Sequence, residues 1–301
     1  MTELERRYRR LLRLYPTAYQ QTRGAEMLAV LMDSAPPGRR RPQWREAQAL
    51  LLGALRARAG AHERRTAGQS WRVALSAAAT MLLVQYAGDA LWKTMYSPDG
   101  LGIPTTLIAA NLAIAAACVL AIVAVARGWY LAAVVLAAGT FAFETVAPQV
   151  VAHFSTPPYA IMGLPQGGLP LAVVLLIPLV GRGTVVVPKR FSRMLLIPMA
   201  SVALDAYGTL ARDPFFQTGS RAVWQAFAVA AILWSFIDER VAMTFGLAFL
   251  GVVVNRAVAD PLTLGDFSQW RWTLTDMGVL AILPVLDIAF GATVAVRRTR
   301  I

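Results

Sequence analysis

The sequence predicts an all-α membrane protein: a polytopic transmembrane helical bundle of about eight spans, with a small N-terminal cytoplasmic helical segment. Three observations lead there. Of 301 residues, 57% are hydrophobic and only 15% charged, against about 45–50% and about 25% in soluble domains. The apolar residues come in successive blocks of roughly 17 to 24, the length that crosses a ~30 Å hydrocarbon core as a helix. The net charge is +12, nearly all of it arginine, with Lys93 and Lys189 the only lysines. A globular core does not need so many apolar blocks in series.

Residues 1–70 form a basic cytoplasmic helical prefix with no long apolar run, so no signal peptide is expected. In LERRYRRLLRLY, Leu4, Tyr8, Leu11, Leu12 and Tyr15 fall on one helical face with arginines on the other. Pro16 ends that helix or starts the next, which is expected from about Thr17 to Asp33 and stops at the breakers of SAPPG. A third helix, PQWREAQALLLGALRARAG, carries Trp44, Ala47, Leu50, Leu51, Ala54 and Leu55 as its apolar stripe. Tyr15, Pro16 and Tyr19 form the expected corner between the first two helices, and Met27, Leu28, Val30 and Leu31 are expected to pack against the Trp44 helix. The alternative for this segment is a basic amphipathic surface lying on anionic lipid.

Residues 71–301 form the transmembrane bundle. The spans are expected at roughly Trp71 to Leu91, Thr105 to Ala126, Trp129 to Val150, Leu164 to Val180, Met194 to Leu210, Ala222 to Ile237, Val241 to Val258 and Thr273 to Val296. The fourth is short and carries Pro165, Pro170 and Pro178; its stretch GLPQGGLPLAVVLLIP could break a helix at depth, as transporters do. The sixth and seventh are separated only by Asp238, Glu239 and Arg240. Cytoplasmic termini place the arginine-rich prefix, Arg127, Arg182, Lys189, Arg190, Arg193, Arg240, Arg297, Arg298 and Arg300 on one side. The other side receives Lys93, Arg212, Arg221, Arg256 and Arg271, so the positive-inside rule and an even span count agree. Trp71, Trp92, Trp129, Trp270 and Trp272 read as interfacial anchors. Asp89, Glu144, Asp205 and Asn255 on alternate spans, each followed by a proline turn, sketch four helical hairpins.

Chemistry concentrates in the intramembrane acids, because a charge at a span's centre costs about 2.5–3.5 kcal/mol on insertion scales. At 1.5 Å per residue, Asp205 lies roughly 17 Å from the cytoplasmic end of its span, Glu144 roughly 22 Å and Asp89 roughly 27 Å. Asp287 falls in the inner third, whereas Asp276 and Asp89 are near the outer surface and solvated. Asp205, Glu144 and Asp287 are therefore the candidate protonatable set, facing the bundle interior protonated or paired, with Asn111 and Gln225 as candidate partners. His62 and His153 are isolated and Cys118 is alone, so no metal or other cofactor is expected.

The segment RRYRRLLRLYPTAYQQTRGAEMLAVLMDSAPP, with Leu14-Tyr15-Pro16, Tyr19 and Gly24-Ala25-Glu26-Met27-Leu28, resembles a cytoplasmic prefix on uncharacterised multi-pass membrane proteins of actinobacteria. It is also similar to the prefix of predicted permeases often encoded beside PadR-type transcriptional regulators. The resemblance covers about the first sixty residues. Macrolide-exporter-like permeases with such a prefix have few spans and a large extracytoplasmic domain, whereas every outer loop here is short. What the resemblance implies is a regulatory or assembly module at the plasma membrane, with Tyr15, Pro16, Tyr19, Gly24, Glu26 and Met27 as its candidate interaction residues.

Three functions follow as expectations. One is a small-solute, proton-coupled carrier or permease-like protein using Asp205, Glu144 and Asp287. Another is a membrane-anchored signalling or scaffold protein whose prefix binds a cytoplasmic partner. The third, an intramembrane enzyme, lacks any DDxxD-like cluster, GxGD or serine–histidine arrangement. The expected partners are the lipid bilayer, with anionic lipid at the cytoplasmic face, and a cytoplasmic protein for the prefix. Nucleic acid is not expected, since the basic charge lies near predicted membrane ends.

Overall fold

The computed structural model describes residues 2–36, 38–58, 66–95, 105–154, 168–183, 185, 193–211, 214–235, 237–264 and 267–299. Among them are eleven α-helices and no strand. The chain divides into two units, one of Met1–Thr66 with Phe236–Asp238 and one of Ala67–Ser235 with Glu239–Ile301.

The first unit contains α1 (Glu3–Leu12), α2 (Thr17–Asp33) and α3 (Trp44–Arg58). Thr2 caps α1 by accepting a 3.2 Å bond from the Glu5 amide, which satisfies one of the free donors of a helix start. Leu4, Tyr8, Leu12 and Tyr15 are buried together with Leu50 and Ala54 of α3, while Met27, Leu28 and Leu31 of α2 pack against that cluster. α1 is the hub, packing on both α2 and α3. Met27, Leu28 and Leu31 thus meet the cluster to which the Trp44 helix contributes Leu50 and Ala54, whereas Val30, expected with them, faces outward. The Trp44 stripe is also corrected. α3 turns Leu50 and Ala54 inward, leaving Trp44 and Leu51 exposed, and Gly53 beside them lies directly against the Tyr15 ring.

The second unit holds α4 (Ala67–Met95), α5 (Thr105–Arg127), α6 (Tyr130–Phe154), α7 (Gly168–Leu176), α8 (Leu196–Ala211), α9 (Pro214–Ser235), α10 (Glu239–Leu264) and α11 (Phe267–Thr299). One helix falls on each of the eight apolar blocks. Two of them are long and apolar enough to cross a membrane, over Ala67–Thr94 and Ile108–Arg127; shorter apolar helices follow among the described residues. Among the described residues, two of the eight expected spans therefore qualify by length and composition. Among the described residues the fourth block supplies nine helical residues and a 3₁₀ turn at Ile177–Leu179, about 20 Å of length. Residues 163–167 of its proline-rich stretch lie outside the described residues. Glu239 and Arg240 open α10 rather than forming the turn, and α10 runs through Asp260-Pro261 where a proline turn was expected.

α4 is the hub of this unit, packed against α5, α7, α8, α10 and α11. Ser70 donates a buried 3.1 Å bond to Glu239 across a sequence separation of 169. Leu82 meets Gly251 at the same separation, so α4 and α10 run parallel. α10 and α11 are antiparallel, since Gly246 faces Asp287 while Gly291 faces Met243.

The distribution of side chains is inverted relative to a soluble helix. On α5, Ala115, Cys118, Ala121 and Ala124 are buried while Leu112, Val119, Leu120 and Val123 are exposed. On α9, Ala228, Ala231 and Ser235 are buried while Val229, Leu233 and Trp234 are exposed. Small residues inside permit close helix approach, as in membrane bundles.

Candidate functional site

Asp287 is the more enclosed of the two candidate acids whose side chains are described. Along α11, Asp287, Gly291 and Ala295 recur every four residues on the buried face, while Ile282, Val285, Leu286 and Phe290 point outward. The Asp287 side chain is 0% exposed, and neither carboxyl oxygen has a hydrogen-bond partner. Its wall is α10. A Cβ added at Gly246 would lie 2.7 Å from the Pro284 carbonyl oxygen and 2.8 Å from the Asp287 Cβ. A turn away, a Cβ at Gly291 would lie 2.5 Å from Met243 Cγ and 2.9 Å from the Glu239 carbonyl oxygen. The two glycines make a seam in which α10 and α11 touch backbone to side chain, with the carboxyl group held inside it. α11 continues through Pro284, which removes one intrahelical hydrogen bond a turn before Asp287.

Glu144 occupies a comparable position on α6. Ala133, Ala137, Thr140 and Glu144 form one buried stripe, with Leu131, Val135 and Phe143 on the opposite side. One carboxyl oxygen, Oε2, has no hydrogen-bond partner. The two acids are not brought together: α6 packs on α5, α7 and the 3₁₀ turn, whereas α11 packs on α9, α10 and α4. The side chain of Asp205, on α8, lies outside the described residues, as do those of Asn255 and Asp276. Asn111 is buried on α5 and Gln225 is half-buried on α9, but neither bonds to Asp287. Asp89 accepts a 3.2 Å bond from Gln85.

A shallow groove of about 470 Å³ lies between the α5–α6 turn, Gly128–Ala132, and Val180–Gly183. None of the acids lines it. Tyr130 accepts a 3.1 Å bond from the Val185 amide, and Arg72 donates to the carbonyls of Arg182 and Gly183. The first bond fastens the segment after α7 to the start of α6, and the others fasten it to α4.

The prefix contains the other constellation. Tyr8 donates a 2.6 Å bond to Glu46 Oε2, which also accepts from the Gln43 amide at 3.0 Å. Arg39 pairs with Glu46 Oε1 at 3.3 Å. Glu46 is thus the third residue of α3 reaching back to its cap, half of a capping box, while tying in α1 and the preceding loop. Burial and the neighbouring carboxylate push the Tyr8 hydroxyl up to about 12. The same hydrogen bond holds Glu46 below its ordinary value. At the corner, Tyr15 and Tyr19 stack at 5.1 Å, Pro16 precedes α2, and Gln20 donates to the Tyr15 carbonyl at 2.6 Å. Met27 is half-buried, Gly24 is partly covered and Glu26 is exposed.

Sequence reasoning missed Glu46, Gly53, Gly246 and Gly291. The spacing Gln43-x-x-Glu46 at a helix start could have found the first. A glycine inside a helix, disfavoured by about 1 kcal/mol against alanine, signals close approach but not by what.

The fold defines an all-α protein with two separately packed units, one of which encloses acidic side chains behind an apolar exterior. No known protein family, no curated protein and no solved structure matches the chain.

Proposed function

We propose that the chain is a multi-pass integral membrane protein of permease-like type, crossing the plasma membrane eight times with both termini cytoplasmic. In this reading it carries a small solute with proton coupling, and Asp287 is the coupling residue. Asp287 supports the assignment most directly. A carboxyl group with both oxygens unpartnered in an apolar interior is costly, and intramembrane acids of this kind mark proton and ion pathways. The bilayer placement draws on the large apolar side chains exposed around the second unit, since water-exposed apolar patches of that extent are rare.

The test is solute-induced proton uptake in proteoliposomes, read by an enclosed pH dye against a panel of small solutes. Asp287→Asn preserves shape and removes the titrating group, so it is expected to reconstitute normally and lose at least about tenfold of the flux, a barrier increase of about 1.4 kcal/mol or more. Wild-type flux in the asparagine variant removes Asp287 from coupling. Absence of flux with every solute tested in the wild type removes the carrier reading.

A second reading rests on the prefix. Its own buried cluster and the Tyr8–Glu46–Arg39 network suit a module that binds a cytoplasmic protein, with the bundle as anchor. Deleting Met1 to Gly60 would then abolish the cellular phenotype while leaving the protein in the membrane; full activity of the deletion rejects it.

A further inference from the structure

We propose that α3 docks its outward face onto the anionic headgroup surface of the bilayer. Trp44, Leu51 and Leu52 enter the interface, and Arg45, Arg56 and Arg58 contact lipid phosphates at its rim. The inference rests on the membrane reading and adds to it a named lipid-binding element.

α3 has two apolar faces. One, with Leu50 and Ala54, is buried inside the prefix. On the other, Trp44 is 75% exposed, Leu51 46% and Leu52 39%. At 100° per residue, Trp44, Leu51 and Leu55 fall within about 40° of one another, and Leu52 adjoins them. Arg58 borders this stripe on one side, Arg45 and Arg56 on the other, and all three are exposed. An apolar stripe centred on tryptophan and edged by arginine is the pattern of a helix lying in the membrane interface.

Charge selects the occupant. Residues 1–66 contain fourteen arginines against six acidic residues, a net +8. A second copy of the prefix would oppose like charge, whereas anionic lipid complements it and attracts juxtamembrane basic segments. The tether favours the same surface. Eight residues, 59–66, follow α3 before the helix of the first expected span, a chain length of at most about 28 Å.

The test uses the full chain with Cys118→Ala, carrying an environment-sensitive fluorophore on Leu51→Cys or, on the same face, Gln48→Cys. It is reconstituted into vesicles of phosphatidylcholine alone or mixed with phosphatidylglycerol. Retention after an alkaline carbonate wash is checked first, because loss at that step overturns the membrane reading itself. With retention, the expected result is a blue-shifted emission quenched by spin-labelled lipid in the anionic vesicles only. Replacing Arg45, Arg56 and Arg58 by glutamine is expected to abolish the shift with helicity unchanged. A label on Glu26→Cys remains accessible to an aqueous quencher in both lipids. Aqueous quenching of the α3 label in both compositions overturns the docking. So does protection that is equal in neutral and anionic lipid, or that appears in detergent as protein concentration rises, which indicates a protein contact or a second copy.

Discussion

Gly24 and Gly53 both lie within helices of the prefix, and one methyl group separates their roles. A Cβ at Gly24 meets only Gln20 Cβ at 3.8 Å, but one at Gly53 would collide with the Tyr15 hydroxyl. Tyr15 is buried and stacked on Tyr19, so it has little room to move. Gly53→Ala is expected to destabilise the prefix by about 1–3 kcal/mol through overpacking, less the gain in helix propensity. Gly24→Ala should stabilise it by about 0.5–1 kcal/mol. Chemical denaturation followed by Tyr and Trp fluorescence separates the two. The Tyr8–Glu46 bond adds a pH dependence. Glu46 titrates below its unfolded value of 4.5, so its contribution is present above that pH and fades as acid protonates the folded carboxylate. Tyr8 is raised, so its contribution is complete below pH 10 and is lost between pH 10 and about 12. Tyr8→Phe should flatten the alkaline limb of the prefix's stability profile and shrink the acid limb; unchanged limbs would show that the bond contributes nothing. Tyr8 was legible as a core residue from its helical spacing. Its hydroxyl partner, 38 residues away, was not, because periodicity carries no information about which helix a face meets.

Among the elements, α10 and α11 pack with little slack at two glycines. Gly246 and Gly291 admit close approach at two levels of the same seam. Gly246→Ala would press a methyl group onto the Pro284 carbonyl and the Asp287 side chain, both fixed by helix backbone, so the helices must separate. A loss of about 1–3 kcal/mol is expected, seen as a lower melting temperature in detergent. Gly291→Ala should act alike, and the double variant should cost less than the sum because a helix already displaced by one methyl makes room for the other. Additive losses would mean that the two glycines are not on one seam. The apolar runs announced both helices, and Asp287 was visible within its run. That a glycine on another helix walls it in was hidden, since helix register is set by side-chain interdigitation across the contact. Asp260-Pro261 illustrates the reverse error: a dipeptide that usually opens a turn lies inside α10, where the surrounding helix outweighs the local preference.

For the whole molecule, the proposed topology makes a definite labelling pattern. Tags at either terminus should be inaccessible to an impermeant reagent in intact cells. A cysteine at Thr94, at the end of α4, should react from outside, and one at Trp129, in the α5–α6 turn, only after permeabilisation. Reaction of either terminal tag from outside would break the even crossing number. The exposure of Leu120, Leu131, Leu196, Leu233 and Ile282 fits that arrangement, because lipid supplies no incentive to bury leucine and leaves small residues to pack the interior.

The sequence by itself determined the helical class, the ends of α2, the position of one helix on each apolar block and the identity of the isolated acids. Composition, spacing and helix breakers are local properties, and they are written in order along the chain. Only the tertiary structure decided that α1 is the centre of the prefix, that Trp44 faces out, that α4 and α10 run parallel in register, and that Glu144 and Asp287 line different helix contacts. Those outcomes depend on which small residue lets which backbone approach, a choice made between segments far apart in sequence, and no local pattern records it.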